Sequence, residues 1–310
     1  MPASFAASLK PLAADIKLSH SVFALPFAVL GALIARAPGP FTPRDALLLA
    51  LVVACMVAAR TWAMLVNRLA DAEIDAHNPR TARRVLARGG VPRAHAAALA
   101  AAAALLFIAL AAGFFAVAHN PWPLALSVPV LAWIAAYSWT KRFTSLCHLW
   151  LGVSLALSPV AAALAVDPAA VGLDGWGGGT LRPAVFWLSG MVAAWVAGFD
   201  VIYALQDEAF DRARGLRSIP AALGTRGALW ISRALHAAAA VLCFAASRAD
   251  ERFGPVFTAA AVLVAALLLL EHALIARLGP RAIPAAFLTV NGVVSLAAGA
   301  LGAVDLMIPA

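Results

Sequence analysis

An apolar run in the first half of the chain decides the fold class. Residues 94–118 read AHAAALAAAAALLFIALAAGFFAVA and contain no Asp, Glu, Lys or Arg. A helix needs about 20 apolar residues to cross the hydrocarbon core of a bilayer. A strand of a membrane barrel is shorter and alternates between apolar and polar residues, which this run does not do. The run therefore predicts a transmembrane α-helix.

The rest of the chain has the same character. Of its 310 residues, 64% are hydrophobic and only 12% are charged, and the mean hydropathy is +0.90. Soluble domains carry about 25% charged residues. We therefore expect an all-α polytopic membrane protein whose outer surface faces lipid. A net charge of +8 then indicates basic loops on the cytoplasmic side, and we expect no nucleic-acid partner.

Apolar runs separated by Pro, Gly and charged residues predict nine transmembrane helices in one bundle. We find no separate soluble domain, no cleavable signal peptide and nothing that implies a protein partner, so residues 1–310 are expected to form a single transmembrane domain. The gaps between spans include the Gly-rich segment 175–179. The predicted spans are 20–36, 45–66, 94–118, 122–140, 145–166, 184–206, 227–247, 255–278 and 283–303.

The basic residues predict the orientation of these spans. With the N-terminus in the cytoplasm, seventeen of the 23 Lys and Arg residues lie on the inner side, five lie outside, and Arg60 lies within the second span. Such an excess is typical of cytoplasmic loops. We expect a protein of the inner (plasma) membrane with a cytoplasmic active site and, because the span count is odd, an external C-terminus.

Two acidic patterns end apolar spans on that inner side. Asn67, Asp71 and Asp75 follow one another at intervals of four, so a helix places them on one face. At the end of the sixth span, a similar face is predicted to carry Asp200, Tyr203, Asp207 and Asp211. Clustered oxygen donors of this kind suit Mg²⁺, which is often shared with substrate phosphates. The two patterns together predict a Mg²⁺ site.

Basic residues near these acids indicate what the metal site would bind. Tyr137 and Lys141 end the fourth span, and four arginines lie at 80–88 after the first acidic pattern. Arg60 lies inside the membrane boundary, where a charged side chain needs a partner. Carboxylates, Mg²⁺ and nearby Lys and Arg form a clamp for pyrophosphate. Cleavage of an allylic pyrophosphate in such a clamp gives a carbocation that an electron-rich acceptor can attack.

Other polar residues are predicted to have structural roles. Cys55, Cys147 and Cys243 have spacings that suit neither a disulfide framework nor a metal site. His20, His77 and His148 likewise lack the spacing of metal ligands. We expect all six to be packing or interfacial residues.

The ordered motifs Asn67-x-x-x-Asp71-x-x-x-Asp75, Tyr137-x-x-x-Lys141 and Asp200-x-x-Tyr203-x-x-x-Asp207-x-x-x-Asp211 resemble those of the UbiA family of intramembrane prenyltransferases. The resemblance covers nearly the whole chain. It implies an all-helical bundle with a central cavity that opens laterally to lipid, and transfer of a polyprenyl chain from polyprenyl pyrophosphate to an aromatic or other acceptor.

The resemblance also implies roles for the matching residues. Metal ions would be held by Asn67, Asp71 and Asp75, and by Asp207 and Asp211. Pyrophosphate would be contacted by Lys141 and Arg84, with Tyr137 steadying the cation or the phosphate. The reaction chamber would be lined by Asp200 and Tyr203, and Arg60 would pair with a carboxylate of the aromatic acceptor.

Within the family, the chain is similar to the 4-hydroxybenzoate branch of quinone synthesis and to its menaquinone-pathway relatives. The similar stretches are 20–28, 141–144 and 149–159. Two positions depart from the pattern: Arg68 stands where many members have Asp, and Val85 where many have Pro. The similar stretches imply 4-hydroxybenzoate as the acceptor, with a dihydroxynaphthoate as the alternative.

Two other classes of protein are possible from the residues alone. A CDP-alcohol phosphotransferase also uses membrane Asp residues and metal, but its single Asp-Gly…Ala-Arg…Gly…Asp-x-x-x-Asp run is missing here. A transporter would place polar groups near the bilayer midplane, whereas here they are predicted at the cytoplasmic helix ends.

Overall fold

The computed structural model describes residues 4–16, 23–173 and 180–308, and this part of the chain contains no β-strand. The predicted positions Lys17 and His20 and the segment 175–179 lie outside it. The α-helices are α1 (Phe5–Asp15), α2 (Leu25–Ala35), α3 (Pro43–His77), α4 (Arg93–Ala118), α5 (Trp122–Thr140), α6 (Cys147–Val166), α7 (Pro183–Ala204), α8 (Glu208–Ala213), α9 (Ile219–Arg248), α10 (Pro255–Leu278), α11 (Ile283–Ala285) and α12 (Asn291–Met307).

Each of the nine predicted spans corresponds to a helix in the described residues, which confirms a multi-pass membrane protein. Seven helical stretches there are long and apolar enough to cross a bilayer, and the last of them, Pro255–Met307, contains the final two predicted spans. The helix of the first span, α2, has 11 residues. At 1.5 Å per residue it rises about 16 Å, which is shorter than the hydrocarbon core.

The bundle is arranged around α7. About two thirds (67%) of the apolar stretch that includes α7 is buried inside the protein, against 22% for each of α3 and α4. Those two helices therefore lie nearer the outside of the bundle. Glycines let the inner helices approach closely: a Cβ added at Gly152 of α6 would lie 2.3 Å from the carbonyl oxygen of Ala193 in α7. Small residues at helix contacts are typical of membrane bundles.

The connections between helices meet at two ends of the bundle. At one end, the Arg217 N–H donates to the carbonyl oxygen of Lys141 at 2.6 Å, so the segment before α9 contacts the end of α5. At the other end, Arg252 donates to the carbonyl oxygens of Ile34 (2.5 Å) and Arg36 (3.0 Å) and so holds the end of α2. The acidic motifs lie at the first of these ends.

Two helices differ from the sequence prediction at this end. The second span was predicted to end at residue 66, but α3 continues to His77 and carries the whole first motif in one helix. The sixth span was predicted to carry its acids on one continuous face. Instead α7 ends at Ala204, a 3₁₀ turn covers Leu205–Asp207, and α8 follows, so these residues do not lie on one continuous α-helix, although Tyr203 and Asp207 both contact Arg80. The tighter turn changes the direction in which later side chains point.

Candidate active site

The first acidic motif lies along one buried face of α3, as its spacing predicts. Asp71 and Asp75 are each only 6% exposed. Asn67 donates to Asp71 through its amide nitrogen at 3.0 Å. Glu73, between the two aspartates, points away from them with a side chain that is 82% exposed. The four-residue interval therefore separates the two buried carboxylates from their exposed neighbour.

The second motif approaches the first through the loop that follows α3. The Asn78 amide donates to Asp207 Oδ1 at 2.9 Å. Arg80 donates to the same oxygen through Nε at 2.9 Å, and its Nη1 donates to the Tyr203 hydroxyl at 2.9 Å. Burial would lower the pKa of the Arg80 guanidinium, but the hydrogen bond and the charge of Asp207 outweigh it and raise that pKa. Arg80 thus links the loop after the first motif to the second motif, whose residues lie more than 120 positions later.

Three further cations surround the carboxylates. Arg84 donates to both oxygens of Asp75, at 2.9 and 2.8 Å. Arg142 donates to Asp71 Oδ1 at 3.1 Å. The positive charge of Lys141 acts on Asp71 in the first motif and on Asp207 and Asp211 in the second. The predicted phosphate-binding residues Lys141 and Arg84 are therefore close to the predicted metal ligands.

A cavity of about 710 Å³ opens beneath this charged cluster. Its lining along α5 runs from Tyr137 to Pro123, a distance of about 21 Å at the helical rise. Apart from its charged end the lining is largely apolar. The charged end is formed by Asn67, Arg80, Arg84, Tyr137, Asp200 and Tyr203. The cavity therefore has the shape and polarity expected for a molecule with a charged head and a long hydrocarbon tail.

Three other basic residues, Arg60, Arg68 and Arg83, also border the cavity. Arg60 lines it and donates to the carbonyl oxygen of Ile16 at 3.3 Å. Arg68, which departs from the family pattern, donates to the Asn67 amide oxygen at 2.8 Å and pairs with Asp15 at 3.4 Å. Arg68 thereby orients a predicted metal ligand and ties α3 to the end of α1.

The structure gives His148 a partner that sequence reasoning missed. His148 is buried, as a packing residue would be, but its Nδ1 lies 2.6 Å from Asp200 Oδ2. Its Nε2 accepts a hydrogen bond from the Ile219 N–H at 3.3 Å. Asp200 is separated from His148 by 52 residues in the chain, so no local spacing signals the pair. Arg142 was missed as well, although it directly follows Lys141.

The donors suit Mg²⁺ in number and type. Within the described ranges, no three His, Cys, Asp or Glu side chains converge on a single point. Mg²⁺ does not require such a cage, because it is usually bound by one or two carboxylates together with water and substrate phosphates. Asp211 is buried, and its Oδ1 has no hydrogen-bond partner in the structure. A buried carboxylate oxygen without a donor is costly and fits a cation ligand.

Comparison with known proteins places these features in a family. The family model described as the UbiA prenyltransferase family matches residues 24–295. A UbiA homolog from Aeropyrum pernix K1, solved in its apo form, has 37% sequence identity and a TM-score of 0.79, with 93% of this chain and 98% of that chain covered. A UbiA homolog from Archaeoglobus fulgidus bound to GPP and Mg²⁺ has 19% identity and a TM-score of 0.68, with 96% and 100% covered, and shares the fold.

Curated relatives match over a shorter stretch. A 4-hydroxybenzoate octaprenyltransferase from Methylobacillus flagellatus is 32% identical over 174 residues, which cover 56% of this chain and 53% of the relative. One from Nitrosomonas europaea is 30% identical over 181 residues, covering 58% and 56%. The aligned part therefore spans just over half the length of these relatives. Because the family model covers most of the chain, and the motifs occur in the predicted order around one cavity, this protein belongs to the UbiA prenyltransferase family.

Proposed function

We propose that this protein is a Mg²⁺-dependent prenyltransferase that moves a polyprenyl group from polyprenyl pyrophosphate to 4-hydroxybenzoate in quinone biosynthesis. The observation that carries the proposal is the position of Arg80. It follows the first motif in the chain, bonds to Asp207 and Tyr203 of the second motif, and lines the charged end of one largely apolar cavity. The names of the curated relatives support the choice of acceptor.

The charged end of the cavity would bind the pyrophosphate. Arg80, Arg84 and Arg142 each donate to a carboxylate that is a proposed metal ligand. A pyrophosphate held at those carboxylates therefore lies within reach of the same guanidinium groups, which bind phosphate oxygens with two donors. Lys141 adds a further positive charge between the motifs. These cations would neutralise the leaving group.

The proposed metal ligands form two sets, Asn67, Asp71 and Asp75 in the first and Asp207 and Asp211 in the second. When bound, Mg²⁺ supplies positive charge that stabilises the departing pyrophosphate. Two amides orient these acids: Asn67 donates to Asp71, and Asn78 donates to Asp207. The guanidinium groups of Arg80, Arg84 and Arg142 offset the repulsion among the carboxylates.

The wall next to the charged end suits a carbocation. Phe23, Phe199, Tyr203 and Phe287 all line the cavity there. Tyr203 and Phe287 pack with ring centroids 4.4 Å apart, and Phe199 and Phe287 with centroids 5.4 Å apart. The electron-rich faces of such rings attract cations. They would stabilise an allylic cation and exclude the water that would quench it.

Arg60 and the distribution of basic residues support a binding residue for the acceptor and an orientation of the protein in the membrane. Arg60 lines the same cavity, and we assign it to the carboxylate of the aromatic acid. The excess of basic residues at the end that carries the motifs supports a cytoplasmic active site in the inner membrane, within one transmembrane domain.

A membrane assay tests this proposal. Membranes containing the protein, Mg²⁺ and a long-chain polyprenyl pyrophosphate are offered 4-hydroxybenzoate and a dihydroxynaphthoate together, and the product masses are read. We expect prenylated hydroxybenzoate. Prenylated naphthoate alone would overturn the assignment of the acceptor but would agree with Mg²⁺-dependent prenyl transfer. No product from either acid would contradict the proposed function.

A further inference from the structure

His148 and Asp200 form a buried hydrogen-bonded pair at the edge of the cavity. Asp200 lines the cavity, whereas His148 lies behind it and is not among the described residues that line it. Their side chains are 15% and 4% exposed, and the Nδ1 to Oδ2 distance is 2.6 Å. The pair takes no part in the metal and phosphate contacts described above.

The hydrogen bonds of His148 define which ring nitrogen carries the proton. The Ile219 N–H is a donor only, and it points at Nε2 from 3.3 Å. Nε2 must therefore accept, which leaves the proton of the neutral ring on Nδ1. That proton is donated to Asp200 Oδ2. His148 thus accepts from the backbone on one side and donates to a carboxylate on the other.

The start of α9 reinforces this tautomer. Ile219 is the first residue of the 30-residue helix α9, and Ser218 caps that helix by accepting from the Ala221 N–H at 3.3 Å. N–H groups in the first turn of a helix lack partners within the helix and carry partial positive charge. Both properties oppose a second proton on Nε2. The backbone of α9 therefore holds His148 as a donor toward Asp200.

Packing between α6 and α7 fixes the distance between His148 and Asp200. His148 lies in α6, and Gly152 is one turn further along the same helix. The space for a Cβ at Gly152 is taken by the carbonyl oxygen of Ala193 in α7, and Asp200 follows two turns later in α7. Close helix contact therefore places the imidazole against the carboxylate. One oxygen of Asp200, Oδ2, is hydrogen-bonded to His148 on the side away from the cavity.

We propose that Asp200 is the carboxylate that accepts the proton lost from the aromatic ring, and that His148 is the positioning residue that orients it. This inference rests on the proposed function. In the reaction, the C–O bond of the allylic pyrophosphate breaks and pyrophosphate leaves with the electron pair. A ring carbon forms the new C–C bond, and the proton on that carbon passes to Asp200 as its bonding electrons return to the ring.

The test compares His148→Leu, which removes both hydrogen bonds, with His148→Gln, which retains one donor and one acceptor. Activity is measured with 4-hydroxybenzoate and with the same acid deuterated on the ring carbons beside the hydroxyl. We expect kcat of His148→Leu to fall about 10- to 100-fold, as when an orienting partner is removed. The KM for polyprenyl pyrophosphate should stay within about 2-fold, because the phosphate contacts are untouched. His148→Gln should recover most of the lost rate.

The isotope effect separates positioning from general structural support. A poorly oriented Asp200 slows proton removal, so His148→Leu should show a larger effect of ring deuteration on kcat than the wild type. Asp200→Asn, which cannot accept the proton, should lose turnover. His148→Met, whose flexible side chain adapts to buried gaps, provides the same comparison if His148→Leu does not fold. His95→Leu removes a histidine that bonds to Ser8 away from the cavity and serves as the control.

Two results would overturn the inference. One is wild-type kcat and isotope effect in His148→Leu and His148→Met; the other is a loss of rate in these variants with no change in the isotope effect. A wild-type protein that prenylates no aromatic acid would instead contradict the proposed function, before any variant is compared.

Discussion

Glu73 shows how strongly the position of a residue on α3 determines its burial and its partners. It lies two residues from both Asp71 and Asp75, yet its side chain is exposed and pairs with Arg93 at 3.4 Å. The two aspartates are buried and face Arg142 and Arg84. An α-helix turns by about 100° per residue, so positions two apart face opposite sides. Buried and exposed acids thus alternate within about one turn of α3.

This contrast gives a matched pair of variants. Asp71→Ala should abolish turnover because it removes a proposed metal ligand and leaves Arg142 without its carboxylate. Glu73→Ala should retain wild-type activity, since an exposed ion pair contributes little. Both are measured as kcat in membranes with equal protein amounts. Full activity in Asp71→Ala, or equal losses in both variants, would count against the metal site.

Lys141 permits a test of phosphate binding. Lys141→Ala should raise the KM for polyprenyl pyrophosphate by about 10- to 100-fold, the equivalent of losing one hydrogen bond to a charged group. The KM for the aromatic acid should change much less. Arg93→Ala, which removes an exposed cation, is the control. An unchanged KM for the prenyl donor would remove Lys141 from the site.

At this scale, the sequence predicted what spacing alone can encode. The common face of Asn67, Asp71 and Asp75 follows from helix geometry and is confirmed. The pairings of Asp71 with Arg142 and of Asp200 with His148 join distant parts of the chain, so local periodicity contains no information about them. The catalytic and binding roles of all these residues remain predictions.

At the scale of secondary structure, the geometry of the candidate site depends on the packed pair of helices α6 and α7. Hydropathy predicted both spans closely, because continuous apolar runs signal membrane helices whatever their neighbours are. It did not predict the break after Ala204, since Leu205–Asp207 has no Pro or Gly that would mark a turn. It also did not predict that α7 is the buried centre, because inner and outer membrane helices are both apolar.

Gly152 tests the contact between these helices. Gly152→Ala places a methyl group against the backbone oxygen of Ala193, so the helices must separate, at a cost of about 1–3 kcal/mol. We expect a lower unfolding temperature in detergent and reduced kcat. Gly190→Ala in α7 should be tolerated, because its new Cβ would meet only the end of Leu242 at 3.4 Å. Equal stability of the two variants would contradict close packing as the cause.

At the scale of the whole molecule, the main feature is a cavity with a charged end and an apolar remainder. The cavity is about 21 Å long, as judged from the helical rise along α5. Composition predicted the membrane bundle, and the acidic motifs predicted the charged mouth. The cavity itself depends on how helices pack, which no single segment encodes. The resemblance to the family implied it, and the structure contains it.

The far end of the cavity is expected to limit the length of the isoprenoid. Ala165 lines that end, and Ala165→Phe would fill part of it. We expect a lower kcat/KM for long polyprenyl pyrophosphates and a smaller change for short ones, measured by product masses from a mixed set of donors. Ala125→Phe, on an exposed part of α5 outside the lining, is the control. An unaltered donor preference would show that the chain does not reach Ala165.

The most direct measurement is the metal dependence of the coupled reaction in purified, lipid-reconstituted protein. Polyprenyl pyrophosphate and 4-hydroxybenzoate are supplied, and released pyrophosphate and prenylated acid are quantified with Mg²⁺, with EDTA, and after Mg²⁺ is restored. We predict equal amounts of both products with Mg²⁺, neither with EDTA, and recovery of both on restoration. Full turnover in EDTA would contradict a metal-assisted pyrophosphate site between the two acidic motifs, and pyrophosphate release without prenylated acid would contradict transfer to the aromatic acceptor.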